Sequence, residues 1–150
     1  ISSFREISQK NISLIQNKTL HEMTIVSSKN HKDKYLKNLL SKITCKKLIT
    51  MGSIGCKIAS ILRGESDLYI SLSDPKKSSP KDWDYAAPNA ILKAAGGVIT
   101  NINNEEIKYN VANLNHGGLI IASNDKCNHK YVCDQIKTLI DKYNLIPFEY

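Results

Sequence analysis

Residues 82–97 constrain the fold of this chain more than any other stretch, because they carry signals for both the start and the end of one helix. A polar, acidic beginning at 82–84 leads into Ala, Ile and Leu at helical spacing and then into a glycine pair. Pro88 is expected near the first turn, where a missing N–H costs no intrahelical bond. The pattern predicts a helix that begins close to Asp84 and has Gly96 at its C′ position.

Two interpretations of Asp84 are open from these residues alone. A carboxylate at the start of a helix can cap the free N–H groups there and complements the positive end of the helix dipole. The same position favours phosphate, so the carboxylate can instead hold a divalent cation against a phosphate group. Spacing within the helix does not separate a capping Asp84 from a metal-binding one.

The net charge and its distribution indicate which class of partner the chain can bind. The chain has 150 residues and a net charge of +7, from 21 Lys and Arg against 14 Asp and Glu. The lysines are spread along the chain, without a basic block interleaved with aromatic residues, which favours a solvated surface over a nucleic-acid interface. A small substrate with several phosphates would gain from the same field. No apolar run approaches the roughly 20 residues of a membrane span.

The cysteines indicate the cellular compartment, and the N-terminus indicates whether the chain is truncated. The spacings between the four cysteines match no paired zinc pattern; the residues are Cys45, Cys56, Cys127 and Cys133. We therefore predict free thiols. Free thiols indicate a reducing compartment, most simply the cytoplasm. The sequence opens on Ile1 without a signal-peptide pattern. We therefore expect an N-terminal truncation.

Hydrophobic periodicity predicts an α/β fold for one domain, with a mixed, mostly parallel sheet covered by helices on both faces. Residues 1–20 are predicted to contain one or two short strands. The predicted strands and helices then follow in alternation: strand 22–28, helix 33–43, strand 46–51, helix 54–62, strand 67–72, the helix near Asp84, strand 98–101 with a hairpin partner at 106–109, strand 119–122 and helix 129–143.

Several motifs carry a family resemblance. Residues 83–97 (WDYAAPNAILKAAGG) resemble the C-terminal signature of the inositol monophosphatase superfamily, which comprises magnesium-dependent phosphomonoesterases. Residues 52–59 (GSIGCKIA), 67–72 (DLYISL) and 27–31 (SSKNH) resemble its 3′(2′),5′-bisphosphate nucleotidase branch, often called the CysQ type. The matching segments extend from residue 22 to residue 125.

The resemblance implies a fold, an activity and a cofactor. It implies that residues 1–150 are the C-terminal domain, the C-terminal half of the inositol monophosphatase-like (sugar phosphatase) fold. The implied activity is Mg²⁺-dependent removal of the 3′-phosphate of adenosine 3′,5′-bisphosphate or its sulfated form, with Asp84 as one metal ligand. The superfamily's acidic metal motif belongs to an N-terminal domain and does not occur in this chain. We therefore expect this chain alone to be inactive.

The same resemblance implies a substrate pocket. Ser28, His31, Ser53 and Lys57 match positions of the branch that contact the nucleotide, and Asp84 would lie beside them. From the residues alone, a surface-loop histidine is the favoured interpretation of His31, and an ordinary turn residue that of Ser53. We expect all five side chains to converge near the carboxyl ends of the strands, where ligands bind in open α/β sheets.

Three positions depart from the branch's pattern, namely Lys29, Asn30 and Ser71. Two alternative functions also stay open: an inositol-phosphate or sugar-bisphosphate phosphatase on the same scaffold, and a module that binds nucleotides without hydrolysing them. A final expectation concerns the missing domain. The chain should present a large apolar face where that domain packs, with unpaired edge strands near residues 5–15, and should be poorly soluble by itself.

Overall fold

A computed structural model describes residues 17–29, 34–77 and 79–148. A short 3₁₀ helix at Leu20–Glu22 precedes five strands and four α-helices. The strands are β1 (Thr24–Ser28), β2 (Lys47–Met51), β3 (Leu68–Ser73), β4 (Val98–Asn101) and β5 (Gly118–Ser123). The helices are α1 (Lys34–Lys42), α2 (Ile54–Leu62), α3 (Asp82–Ala94) and α4 (Lys126–Tyr143).

The five strands form one sheet in the order β2-β1-β3-β5-β4. Strand β1 pairs in parallel with β2 and β3, whereas β5 is antiparallel to both of its neighbours, β3 and β4. Four strands therefore share one direction and β5 alone opposes them. The predicted mixed, mostly parallel sheet is confirmed.

Side chains alternate between the two faces of the sheet, and each face is covered by a pair of helices. Ile25 of β1 and Ile121 of β5 pack with the apolar sides of α1 and α4. Their neighbours Val26 and Ala122 pack on the other face with residues of α2 and α3. Burial on both faces is typical of parallel strands, and it explains the near-continuous apolar runs of β1, β3 and β5.

The predicted helix exists and begins close to Asp84, as expected, but Pro88 does not lie in its first turn. Helix α3 begins at Asp82, which makes Pro88 its seventh residue and an interior one. A proline there leaves the carbonyl of Asp84 without an intrahelical N–H donor. The first turn is instead supported from outside the helix, where the Asp82 N–H donates to the carbonyl of Leu114 at 3.0 Å.

The end of α3 follows the prediction. Gly96 has a φ of +90°, and its N–H donates to Lys93 while the N–H of Gly97 donates to Leu92, which is the Schellman arrangement. Gly97 is required for a different reason. A Cβ there would lie 2.6 Å from both Leu92 Cδ1 and the backbone oxygen of Ser123, so the close approach of α3 to β5 admits only glycine.

Two further predictions need correction, and a third falls outside the described residues. Residues 106–109 do not form a hairpin strand, since only Glu106 bridges to Thr100; Asn101 side-chain bonds to Asn103 and Glu105 instead close a local turn. Helix α4 begins at Lys126, three residues before the predicted His129, because Asp125 caps it. The strands predicted near residues 5–15 lie outside the described residues.

Candidate active site

The carboxyl ends of β1, β2 and β3 meet at one edge of the sheet, which we call the carboxyl edge. Ser28 ends β1 in register with Met51, the last residue of β2. The N–H of Lys29 then donates to the carbonyl of Met51 at 3.0 Å. This bond keeps the two chain ends together after the strands stop, so that Ser28 lies next to the turn that starts α2.

Ser53 starts α2 as its N-cap. Its Oγ accepts from the N–H of Cys56 at 3.1 Å, which satisfies one of the free amides of the first turn. An added Cβ would meet nothing within 4 Å at Gly52 and only Ser53 Oγ, at 3.9 Å, at Gly55. The first turn of α2 is thus open to an approaching group, and the amides of Ile54 and Gly55 belong to it.

Lys57 lies in the same helix but points inward. It is only 2% exposed, its Nζ donates to the carbonyl of Gly52 at 2.9 Å, and the ammonium lies 5.3 Å from the centroid of the Tyr69 ring. Burial lowers the pKa of Lys57, because desolvation disfavours the charged form. The carbonyl and the ring face compensate part of that cost.

Two buried tyrosines connect α2 and β3 with the start of α3. The hydroxyls of Tyr69 and Tyr85 lie 3.4 Å apart. Burial raises the pKa of both phenols, and the charge of the nearby Asp84 adds to the effect, while the Ser71 hydroxyl opposes it. Asp84 therefore stands close to a protonated phenol pair that remains neutral at physiological pH.

Asp84 occupies the first turn of α3 and is half-buried. Its Oδ2 accepts from the N–H of Lys81, just before the helix, at 2.8 Å. The predicted capping interaction thus exists, and it uses one carboxylate oxygen. In the described part of the chain, no other hydrogen bond or ion pair reaches this carboxylate. Trp83 beside it is 68% exposed, so the start of α3 opens to solvent.

Asp82 ties the start of α3 to residues 110–116. Its Oδ1 lies 2.6 Å from Nε2 of His116, and its Oδ2 accepts from the N–H of Asn110 at 2.7 Å. These bonds, that of Asn110 foremost, lower the pKa of Asp82. Because an ionised carboxylate only accepts, Nε2 of His116 carries the proton. The His116 ring is fixed edge-on against Tyr85 and Tyr109.

Four of the five predicted site residues lie in the described structure, and it brings them to one edge and one face of the sheet. Ser28, Ser53 and Lys57 surround the β1–β2 end, and Asp84 follows across the tyrosine pair. His31 lies outside the described residues. The bond between Asp82 and His116 was not predicted, because the two residues are 34 positions apart and no local pattern connects them.

A metal at this site would need more oxygen ligands than the described residues offer. Asp84 fits one ligand position, since its Oδ1 has no hydrogen-bond partner among the described residues and the residue lies at a helix N-terminus. Across 17–29, 34–77 and 79–148, no group of three or more His, Cys, Asp or Glu side chains is arranged to hold a metal ion. Magnesium usually binds through one or two carboxylates together with waters and substrate phosphates, and Asp84 suits that mode.

Sequence comparison decides the family. The profile described as "Inositol monophosphatase family" matches residues 3–141. The chain belongs to the inositol monophosphatase family. This match covers the whole candidate site, from Ser28 to His116, and confirms the superfamily resemblance carried by residues 83–97.

Curated relatives include two kinds of bisphosphate phosphatase. Mouse 3′(2′),5′-bisphosphate nucleotidase 1 is 27% identical over 125 residues, which cover 82% of this chain and 38% of the relative. Mouse Golgi-resident adenosine 3′,5′-bisphosphate 3′-phosphatase is 35% identical over 98 residues, covering 61% and 26%. The resemblance to the bisphosphate nucleotidase branch is confirmed. The chain spans less than half the length of these relatives.

Solved structures confirm the fold. Inositol monophosphatase II from Staphylococcus aureus aligns with a TM-score of 0.64 at 19% identity, covering 89% of this chain and 48% of that one. The Thermotoga maritima IMPase gives a TM-score of 0.64 at 19% identity, covering 85% and 45%. This α/β architecture therefore corresponds to about half of an inositol monophosphatase-like structure. None of the helices in the described part of the chain has the length and hydropathy required to span a bilayer.

Proposed function

We propose that this chain forms the substrate-facing half of a Mg²⁺-dependent phosphomonoesterase that removes the 3′-phosphate of adenosine 3′,5′-bisphosphate. The observation that carries the proposal is the half-buried Asp84 carboxylate at the open start of α3, on the same sheet edge as Ser28 and Ser53. A carboxylate and a helix N-terminus side by side can hold a cation and a phosphate in contact.

The start of α2 is the proposed phosphate subsite of this chain. The amides of Ile54 and Gly55 belong to the first turn, and Ser53 already satisfies that of Cys56. Gly52 and Gly55 present no side chain to an incoming oxygen. Backbone amides and the positive end of the helix dipole would orient a phosphate there.

Lys57 would supply positive charge beneath that subsite. Its Nζ is held by the Gly52 carbonyl at 2.9 Å, so the ammonium lies directly under the turn that would contact a phosphate. A buried ammonium acts through a lower effective dielectric than a surface lysine does. In the proposal Lys57 favours an anion on the turn, and Tyr69 holds it in place from below.

Asp84 would hold the metal, which when bound would polarise the phosphoryl oxygens and activate a water. We propose that the other acidic ligands come from outside the described residues, from an N-terminal domain of the same protein. The exposed side of the sheet supports such a partner. Among the described residues β2 is an edge strand, with Leu48 42% exposed, and an apolar edge of this kind is a surface that proteins usually bury.

The adenosine bisphosphate substrate is supported by the bisphosphate nucleotidases among the relatives. An inositol-phosphate or sugar-bisphosphate phosphatase is the second candidate. The family description favours it, and one solved neighbour has been crystallised with inositol monophosphate and with 2′-AMP. A nucleotide-binding module without hydrolysis is the third. We propose a cytoplasmic location, consistent with four free thiols.

A phosphate-release assay on the full-length protein separates these candidates. Adenosine 3′,5′-bisphosphate, inositol 1-phosphate and fructose 1,6-bisphosphate are compared with and without Mg²⁺. We expect Mg²⁺-dependent release, fastest from the adenosine bisphosphate. Asp84→Asn should lower kcat by at least about 100-fold, since even groups that only support a metal ligand are worth 10–100-fold.

Asp125→Asn is the matched control, because Asp125 also begins a helix and Asn caps equally well. It should keep wild-type turnover, and both variants should melt within a few degrees of wild type. Turnover unaffected by Asp84→Asn would refute the role of Asp84. Nucleotide binding without phosphate release would favour the non-hydrolytic module.

A further inference from the structure

We propose that Asp82 and His116 are positioning residues that set the orientation of the Asp84 carboxylate. The contacts between residues 80–82 and 110–116 are called the α3 clasp below. The inference rests on the proposed function, in which Asp84 faces the metal. It adds that the metal-facing geometry of Asp84 is fixed from a loop that follows β4, far from Asp84 in sequence.

The clasp holds the chain on both sides of Lys81. Before it, the carbonyl of Pro80 accepts from the N–H of His116 at 2.7 Å. After it, Asp82 donates its N–H to Leu114 at 3.0 Å and binds His116 and Asn110 through its carboxylate. Both neighbours of Lys81 are thus fixed to one loop, Pro80 by a main-chain bond and Asp82 by main-chain and side-chain bonds together.

Lys81 transmits that position to Asp84. Its N–H donates to Asp84 Oδ2 at 2.8 Å, and its carbonyl accepts from the Asp84 N–H at 3.0 Å. Lys81 also bridges to Asn115 through the backbone and through a side-chain bond from Nζ to the Asn115 amide oxygen. The peptide that orients the Asp84 carboxylate is therefore itself held by the loop.

His116 is the rigid member of the clasp. Its side chain is 8% exposed, and its ring packs edge-on against Tyr85 at 5.7 Å and Tyr109 at 5.5 Å. Tyr109 is in turn held by the Asn89 amide at 2.8 Å. The fixed ring directs its Nε2–H at Asp82, two residues before Asp84, and therefore acts on the metal-facing carboxylate through Asp82 and Lys81.

Two readouts on the full-length protein test the clasp. One is hydrogen–deuterium exchange of the Lys81 amide, resolved by mass spectrometry with residue-level fragmentation. The other is the Mg²⁺ concentration that gives half-maximal phosphate release. His116→Ala should abolish protection of the Lys81 amide and raise that Mg²⁺ concentration about tenfold, with the substrate KM unchanged. His116→Gln keeps an N–H donor for Asp82 and should restore both within threefold of wild type.

Asp82→Ala removes the bond to His116 from the other side, together with the bond from the Asn110 N–H, and, with Ala at a helix start, should fold. Its effects should be at least as large as those of His116→Ala, and adding His116→Ala to it should not increase them. Lys93→Ala is the matched control, since it removes an exposed ion pair between α3 and Glu106 without touching the clasp. It should leave the Lys81 amide protected.

Full protection of the Lys81 amide in His116→Ala would overturn the inference, as would equal losses in His116→Ala and His116→Gln. The exchange readout does not depend on catalysis. If the wild-type protein releases no phosphate from any substrate, the proposed function fails, whereas the exchange of Lys81 still decides whether the clasp orients Asp84.

Discussion

The starts of α3 and α4 share the same ingredients but differ in what surrounds them. Each has an aspartate in or before the first turn and a buried histidine nearby, Asp84 with His116 and Asp125 with His129. They lie at opposite edges of the sheet, because α3 follows β3 and α4 follows the antiparallel β5. The comparison separates a helix start that serves stability from one that can serve a ligand.

At α4 the groups are enclosed. Asp125 is 7% exposed, and its Oδ1 accepts from the N–H groups of Cys127 and Asn128 at 2.9 and 3.3 Å. His129 lies between the hydroxyls of Thr100 and Ser123, at 2.7 Å from each. The cavity beside them has about 10 Å³, room for one water molecule and not for a phosphate.

At α3 the capping bond runs backward, from the Lys81 amide to Asp84, and the first turn opens to solvent beside the exposed Trp83. The histidine there binds a second carboxylate, that of Asp82, in place of two hydroxyls. Uncharged partners enclose a neutral histidine at α4, whereas the α3 start concentrates two carboxylates at an opening. The second arrangement is the one that we propose to hold a cation.

The largest expected effect on stability comes from His129. Burial lowers its pKa from 6.5 to about 4, so the unfolded chain takes up this proton first as the pH falls. The contribution of neutral His129 to the unfolding free energy is fully present above pH 6.5. It is lost as the pH falls from 6.5 to 4, and the loss is about 3 kcal/mol in total. Urea unfolding at pH 7 and pH 4 measures the loss.

His129→Gln provides the control for that titration, because Gln can bond both hydroxyls and does not ionise. The difference in unfolding free energy between pH 7 and pH 4 should be about 3 kcal/mol smaller in this variant than in wild type. Equal losses in the two proteins would show that His129 does not remain neutral in the folded state.

A smaller effect separates the two aspartates. Asp125→Ala deprives two amides of their acceptor and should cost about 1 kcal/mol of unfolding free energy. Asp84→Ala removes one bond to an amide outside the helix, so it should cost about half as much or less. Urea titration at pH 7 gives both values. A larger loss for Asp84→Ala would indicate that Asp84 serves mainly as a structural cap.

The sequence predicted correctly the features that depend on neighbouring residues. Periodicity located β1, α1 and the end of α3 at Gly96, since each depends on neighbouring residues. It placed Pro88 near the first turn of α3, whereas Pro88 is an interior residue of that helix. The bonds of Asp82 with residues 110–116, which tie down the first turn, were also not predicted. The bond between Asp82 and His116, which are 34 positions apart, leaves no periodicity in the sequence.

The sequence predicted which residues form the candidate site better than it predicted how they are arranged. Family motifs drew attention to Ser28, Ser53, Lys57 and Asp84, which meet at the carboxyl edge. The deep burial of Lys57 against Tyr69 was not predictable, because it depends on α2 packing over β3. Asp84 was singled out only by the family motif, and Asp125 was not identified as a cap because the last helix was predicted to begin at His129.

Paramagnetic line broadening by Mn²⁺ compares the two helix starts in one experiment. Mn²⁺ would replace Mg²⁺ in the full-length, isotope-labelled protein, and amide signals would be followed at substoichiometric metal. The amides of Lys81, Asp84 and Ser53 should broaden first, and those of Cys127 and Asn128 at the start of α4 should stay sharp. Equal or earlier broadening at Cys127 and Asn128, or none at Asp84, would contradict the assignment of the metal-facing site to α3.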